Sequence, residues 1–111
     1  MSRDRLFLQE MIEAGERIVA IAGRLEPDQP GTDRDLLDAL LWNFTVLGEA
    51  CGRVSAELKD AHPTVAWSDP VRLRNRIVHG YWSVDVDILI SAARDDVPGL
   101  VASLRALREA G

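Results

Sequence analysis

The chain has 111 residues, 47% of them apolar, with a formal charge of −5. That length can bury one modest core, so a single domain spanning 1–111 is expected. The acidic balance argues against a general nucleic-acid coat protein. An aromatic content of only 5% argues against a sheet protein, and the lone Cys51 excludes a disulfide framework or a cysteine-rich metal site.

The first helix is expected from about Asp4 to Leu25. Phe7, Met11, Ala14, Ile18, Ile21 and Leu25 recur at alternating intervals of three and four, with Leu8, Ile12 and Val19 widening the stripe. Pro27-Asp-Gln-Pro-Gly31 ends it. Thr32, with Asp35 three residues on, is the expected cap of a second helix running to about Leu58. Its stripe is Leu37, Leu40, Phe44, Leu47, Cys51, Val54 and Leu58. Cys51 on that stripe reads as a small buried hydrophobe, and Gly48 and Gly52 beside it invite close approach by another helix.

His62-Pro63 stops the second helix, and His62 reads as a solvated loop residue. Trp67 is placed as a core plug at the turn. A short third helix is expected over about Pro70 to His79, capped by Ser68 or Asp69 and ended by Gly80 in the left-handed conformation. Caps within Ser83-Val-Asp-Val-Asp87 open a last helix whose stripe runs from Val86 to Leu107, with a kink or split at Pro98-Gly99. The expected fold is all-α, an antiparallel up-down bundle of four to five helices. Apolar stripes on several sides exceed what one small bundle buries, which predicts a homodimer. With no apolar run of about 18 residues and no signal-like opening, a soluble cytoplasmic protein without a membrane partner is expected.

One stretch stands apart from this pattern: Arg72-Leu-Arg-Asn-Arg-Ile-Val-His-Gly-Tyr-Trp82. At about 100° per residue, Arg74 projects from the middle of the apolar face, with Val78, Val71, Ile77 and Tyr81 around it. Arg72, Asn75, Arg76 and His79 lie on the polar side. A guanidinium on an apolar stripe needs an ion pair, for which Glu49 is a candidate, or a cleft that binds an anion. A histidine and an arginine within reach of each other suffice to cleave RNA without a metal. The imidazole moves the 2′-hydroxyl or leaving-group proton, and the guanidinium holds the phosphate. In an undistorted helix His79 lies about 140° from Arg74. The two therefore converge only if the helix ends near Gly80 or a second subunit supplies its own copy. No cofactor or metal motif accompanies them.

Arg74-Asn-Arg-Ile-Val-His-Gly-Tyr81 resembles the R-x4-H-x-Y signature of the HepT-like toxins, a branch of the HEPN superfamily. The likeness extends to Ser2-Arg-Asp-Arg-Leu6, Leu47-Gly-Glu-Ala50, Pro63 with Trp67, Tyr81-Trp-Ser-Val-Asp85 and the proline of the last helix. The resemblance implies a HEPN-like homodimer with the two signatures facing across its cleft. It also implies a metal-independent endoribonuclease acting on mRNA or tRNA, the toxin of a type VII toxin–antitoxin system. Its partner would be an MntA-type minimal nucleotidyltransferase antitoxin that adenylylates the toxin. Carried over by position, Arg74 holds the phosphate, His79 is the acid–base group and Tyr81 accepts AMP. Asn75 is supportive, and Arg72 and Arg76 contact phosphate or antitoxin. Gly80 departs from the larger residue common in the family. The alternative reading is a non-catalytic helical dimer that docks a nucleotidyltransferase or presents nucleic acid to it.

Overall fold

Most of the expected apolar stripes become the core of an all-helical bundle, while Val19 and Val86 at their edges stay exposed. A computed structural model describes residues 2–80 and 84–110, and among these the regular structure is entirely helical. Helix α1 spans Ser2–Ala22, α2 Arg34–Arg53, α3 Ala56–Ala61, α4 Ser68–Gly80, α5 Val86–Ser91 and α6 Val97–Ala110. Met11, Ala14 and Ile18 of α1 and Leu40, Leu47 and Cys51 of α2 are all fully enclosed, as is Leu104 of α6. Phe7, Ile21, Leu58, Leu100 and Leu107 are half-buried at the stripe edges.

Neighbouring helices run antiparallel. Asp4 at the start of α1 meets Ser55 just beyond the end of α2, accepting hydrogen bonds from its amide at 2.8 Å and its hydroxyl at 2.6 Å. Those two bonds hold the Asp4 carboxyl below the ordinary aspartate value. On the other flank of α1, Arg105 of α6 pairs with Glu16, and Arg108 donates to Gln9 at 2.9 Å.

Several boundaries differ from the sequence reading. Helix α1 ends at Ala22, and the tighter bonds Arg24 N to Ile21 O and Leu25 N to Ala22 O finish it while Leu25 stays buried. Asp33, rather than Thr32, caps α2 by accepting from the Leu36 amide at 3.1 Å; the Thr32 hydroxyl donates to the Gln29 carbonyl instead. The second helix stops at Arg53 because Ser55 caps a separate α3 through the Leu58 amide at 3.1 Å. Helix α4 begins at Ser68, so neither Ser68 nor Asp69 precedes it as a cap, and it continues through Gly80. No described glycine has a positive φ, so Gly80 is a helical, buried residue and not a left-handed stop.

The break in the last helix comes before Pro98. Proline lacks an amide and its ring collides with the carbonyl four residues back, here that of Arg94. The chain accommodates it by widening into a π turn over Ala92–Asp96, after which Pro98 sits in the first turn of α6. Trp67 is buried as expected, with Nε1 donating to the His62 carbonyl at 3.0 Å, so half-buried His62 helps close the α3–α4 turn.

Gly48 sets how closely α4 packs on α2. A methyl group there would stand 2.5 Å from the Pro70 carbonyl oxygen and collide with the Arg74 Cβ. Gly52 has no such need, since a methyl would make only an ordinary contact with Val71. Gly48→Ala is therefore expected to lower stability, because relieving a backbone collision costs about 1–3 kcal/mol, against the roughly 1 kcal/mol that alanine gains in helix propensity. Gly52→Ala should be neutral or stabilising. Thermal melts of the two variants check this: Gly48→Ala melting at or above the unmutated protein would contradict the packing.

Candidate functional site

Because Gly48 admits α4 so closely, the Arg74 side chain runs along α2 and meets Glu49. Its Nη2 lies 2.9 Å from Glu49 Oε1, and Nη1 donates to Asn75 Oδ1 at 3.0 Å. The other Glu49 oxygen accepts from Arg53 Nε at 3.0 Å. One carboxylate is thus shared between two guanidiniums, and the trio keeps a net positive charge. Arg74 has a side chain 30% exposed, and its Nε is enclosed without an acceptor among the described residues. The partly exposed pair contributes about 1 kcal/mol or less.

Arg74 lies at the border of the buried face of α4, not at its middle. Pro70, Ile77 and Gly80 are buried, whereas Val71 is half-buried and Val78 is 49% exposed. The partner anticipated for Arg74, Glu49, is the one it has.

The polar side of α4 forms a second strip. Arg72, Arg76 and His79, spaced four and three apart, are all exposed and share one side of the helix. Arg72 pairs with Asp69 at 2.6 Å, and Arg76 forms no ion pair among the described residues. Asn75 is exposed between this strip and Arg74. Since α4 stays helical through Gly80, Arg74 and His79 remain on different sides of it, about 140° and 7.5 Å of rise apart. Convergence within one chain through a helix end at Gly80 does not occur. Tyr81 lies outside the described residues.

Two features escaped the sequence reading. Trp42 is 67% exposed on α2, seven residues before Glu49 and so on the same side, next to a shallow depression lined by Phe7, Val46 and Glu49. Its departure from the buried stripe was the available signal. The second is a half-open groove of about 330 Å³ between α2, α4 and the π turn, lined by Phe44, Leu47, Leu73, Ile88, Ala92, Val97 and Leu100 and edged by Asp69, Arg72, Arg76 and Asp96. Only tertiary packing assembles it.

Cys51 is buried with its thiol against the Trp67 carbonyl at 3.0 Å, and burial pushes its pKa to about 11. It is a packing residue and no nucleophile. Among the described residues no group of three or more His, Cys, Asp or Glu side chains could hold a metal ion, and no helix is long and apolar enough to cross a membrane.

Comparison with known proteins places these features in a family. The family model described as "Ribonuclease HepT-like" matches residues 11–107. The "Probable ribonuclease HepT" of Thermococcus cleftensis is 26% identical over 103 residues, covering 93% of this chain and 94% of the relative. The "Putative RNase MJ1380" of Methanocaldococcus jannaschii is 22% identical over 94 residues, covering 85% and 86%. No solved structure matches at a significant level. The α4 segment that carries Arg74 and His79 falls inside the matched span, and the chain belongs to the ribonuclease HepT-like family.

Proposed function

We propose that the chain is a metal-independent endoribonuclease toxin of a type VII toxin–antitoxin system, active as a homodimer. The observation that carries this reading is the Arg53–Glu49–Arg74 trio. In an acidic protein it holds a cationic guanidinium in a fixed place, as a phosphate-binding group requires. His79 is the acid–base group, exposed and two turns from the start of the Arg72–Arg76–His79 strip, which tracks the RNA backbone. Asn75 steadies Arg74 through its side-chain oxygen.

A second copy completes the site. Arg74 of one chain and His79 of the other flank the scissile phosphate, since one chain keeps them on different sides of α4. Exposed Trp42 and Val78, on the Arg74 side, are the apolar area such a contact would cover. The imidazole takes the 2′-hydroxyl proton, the hydroxyl oxygen attacks phosphorus, and the 5′-oxygen leaves with a proton, producing a 2′,3′-cyclic phosphate. The guanidinium stabilises the charge that develops on the phosphoryl oxygens.

His79→Ala should lower cleavage of single-stranded RNA by about 10²–10⁴-fold, and Arg74→Ala by about 10²–10³-fold, with helicity and dimer mass unchanged. Cleavage should persist in EDTA. Full activity in His79→Ala, or a requirement for divalent metal, would remove this mechanism in favour of a non-catalytic dimer that presents nucleic acid to a nucleotidyltransferase.

Tyr81, two residues past His79, is the regulatory acceptor. An MntA-type nucleotidyltransferase antitoxin transfers AMP from ATP to its hydroxyl, with pyrophosphate leaving. The added phosphate competes for Arg74 and the purine blocks the approach to His79. Mass spectrometry after treatment with ATP, magnesium and the neighbouring nucleotidyltransferase should find AMP on Tyr81 and cleavage abolished. Tyr81→Phe should keep cleaving under the same treatment; its silencing by adenylylation elsewhere would contradict this control.

A further inference from the structure

The groove between α2, α4 and the π turn has no part in the chemistry just described, yet it borders the same polar strip. Arg72 and Arg76 line its rim, and His79 follows Arg76 by three residues, about 4.5 Å of rise along α4. Its floor is apolar, formed by Phe44, Leu47 and Leu73. The π turn supplies the far wall, placing Ala92 and Asp96 one turn apart on the groove. Ligand pockets combine an apolar lining of this kind with a few polar groups, and widened π turns recur at binding sites.

The volume restricts the occupant. A groove of about 330 Å³ has room for a planar ring or a large side chain. Charge restricts it further. Asp69 is neutralised by Arg72, leaving Arg76 and Asp96 at the rim without an ion pair among the described residues. A planar apolar ring tied to a phosphate suits a pocket with a guanidinium at its mouth, which can both pair with the phosphate and stack on the ring. Asp96 adds a preference. A carboxylate only accepts hydrogen bonds, so it favours an exocyclic amine, whereas uracil presents two carbonyls around its one N–H.

We propose that this groove is a nucleobase subsite for the RNA chain, taking an adenine, cytosine or guanine next to the scissile phosphate and discriminating against uracil through Asp96. The subsite rests on RNA being the ligand, as in the function proposed above, and adds a specificity determinant to it.

Binding separates the two ideas from each other. Hexanucleotides of A, C or U with 2′-O-methyl sugars cannot undergo 2′-hydroxyl cleavage, and their affinities can be read by fluorescence anisotropy. Oligo-A and oligo-C should bind the unmutated dimer about tenfold more tightly than oligo-U, the size of one good base contact. Asp96→Ala, on an exposed helical position, should reduce that preference to less than about twofold. Ala92→Phe should fill the groove and weaken oligo-A and oligo-C about tenfold. Arg76→Ala should weaken all three sequences alike and flatten the salt dependence by about one phosphate contact. Equal affinity for the three sequences, absence of binding, or a preference untouched by Asp96→Ala would overturn the subsite even if Ala92→Phe misfolds. Ala92→Phe that spares oligonucleotide affinity but changes the mass by light scattering would assign the groove to a contact between copies, which also overturns it. A protein with the base preference that cuts no RNA keeps the subsite and loses the ribonuclease reading. One that cuts RNA equally well with and without Ala92→Phe does the reverse.

Discussion

The close approach of α4 to α2 at Gly48 is the constraint on which the rest of the site depends. Without a side chain at that position, the Arg74 Cβ and the Pro70 carbonyl come within contact of the α2 backbone. The Arg74 guanidinium is then carried sideways to Glu49, and Leu73 is turned toward Phe44 and Leu47 to floor the groove. The same contact aims the polar side of α4 outward, where Arg72, Arg76 and His79 are exposed in a row. A one-carbon difference at one helix position thus decides how closely Arg74 and Pro70 approach α2.

Electrostatically, the chain reconciles an acidic whole with a basic part. Eighteen acids outnumber thirteen basic residues overall, but on α4 the arginines are concentrated and only some are neutralised. Arg72 is matched by Asp69, Arg74 shares Glu49 with Arg53, and Arg76 has no ion pair among the described residues. A surface of this kind fits the proposed contact with a short stretch of phosphates, without the extended basic face of a general nucleic-acid binder. That suits an enzyme that engages RNA at one cleft better than a protein that coats it.

Much of the bundle was legible in the sequence because burial leaves a period. Met11, Ile18, Leu40, Leu47 and Leu104 announced themselves by spacing, and Cys51 by its place among them. Glu49 could be named as the Arg74 partner because an arginine beside an apolar face must be paired. What stayed hidden was decided by contacts distant in sequence. Ser55 ends one helix and starts another because Asp4, fifty-one residues earlier, takes its amide and hydroxyl. Gly80 stays helical although glycine at that position commonly ends a helix. The Pro98 disturbance was legible, but not its displacement into a π turn that helps shape a groove. Trp42 was passed over because a period finds residues that face inward, and this one faces out.

The separation of Arg74 from His79 along an unbroken α4 makes the second copy central to the proposed chemistry, and mixing defective subunits tests it most directly. Arg74→Ala and His79→Ala chains, each inactive as its own dimer, are co-refolded in equal amounts. In a mixed dimer one cleft receives both substitutions and the other receives an intact arginine and an intact histidine. The account predicts that cleavage of single-stranded RNA returns in the mixture, to about one quarter of the unmutated level for random pairing with one working cleft in half of the dimers. A mixture as inactive as its parents, with mixed dimers demonstrated by mass, would contradict a site shared between subunits.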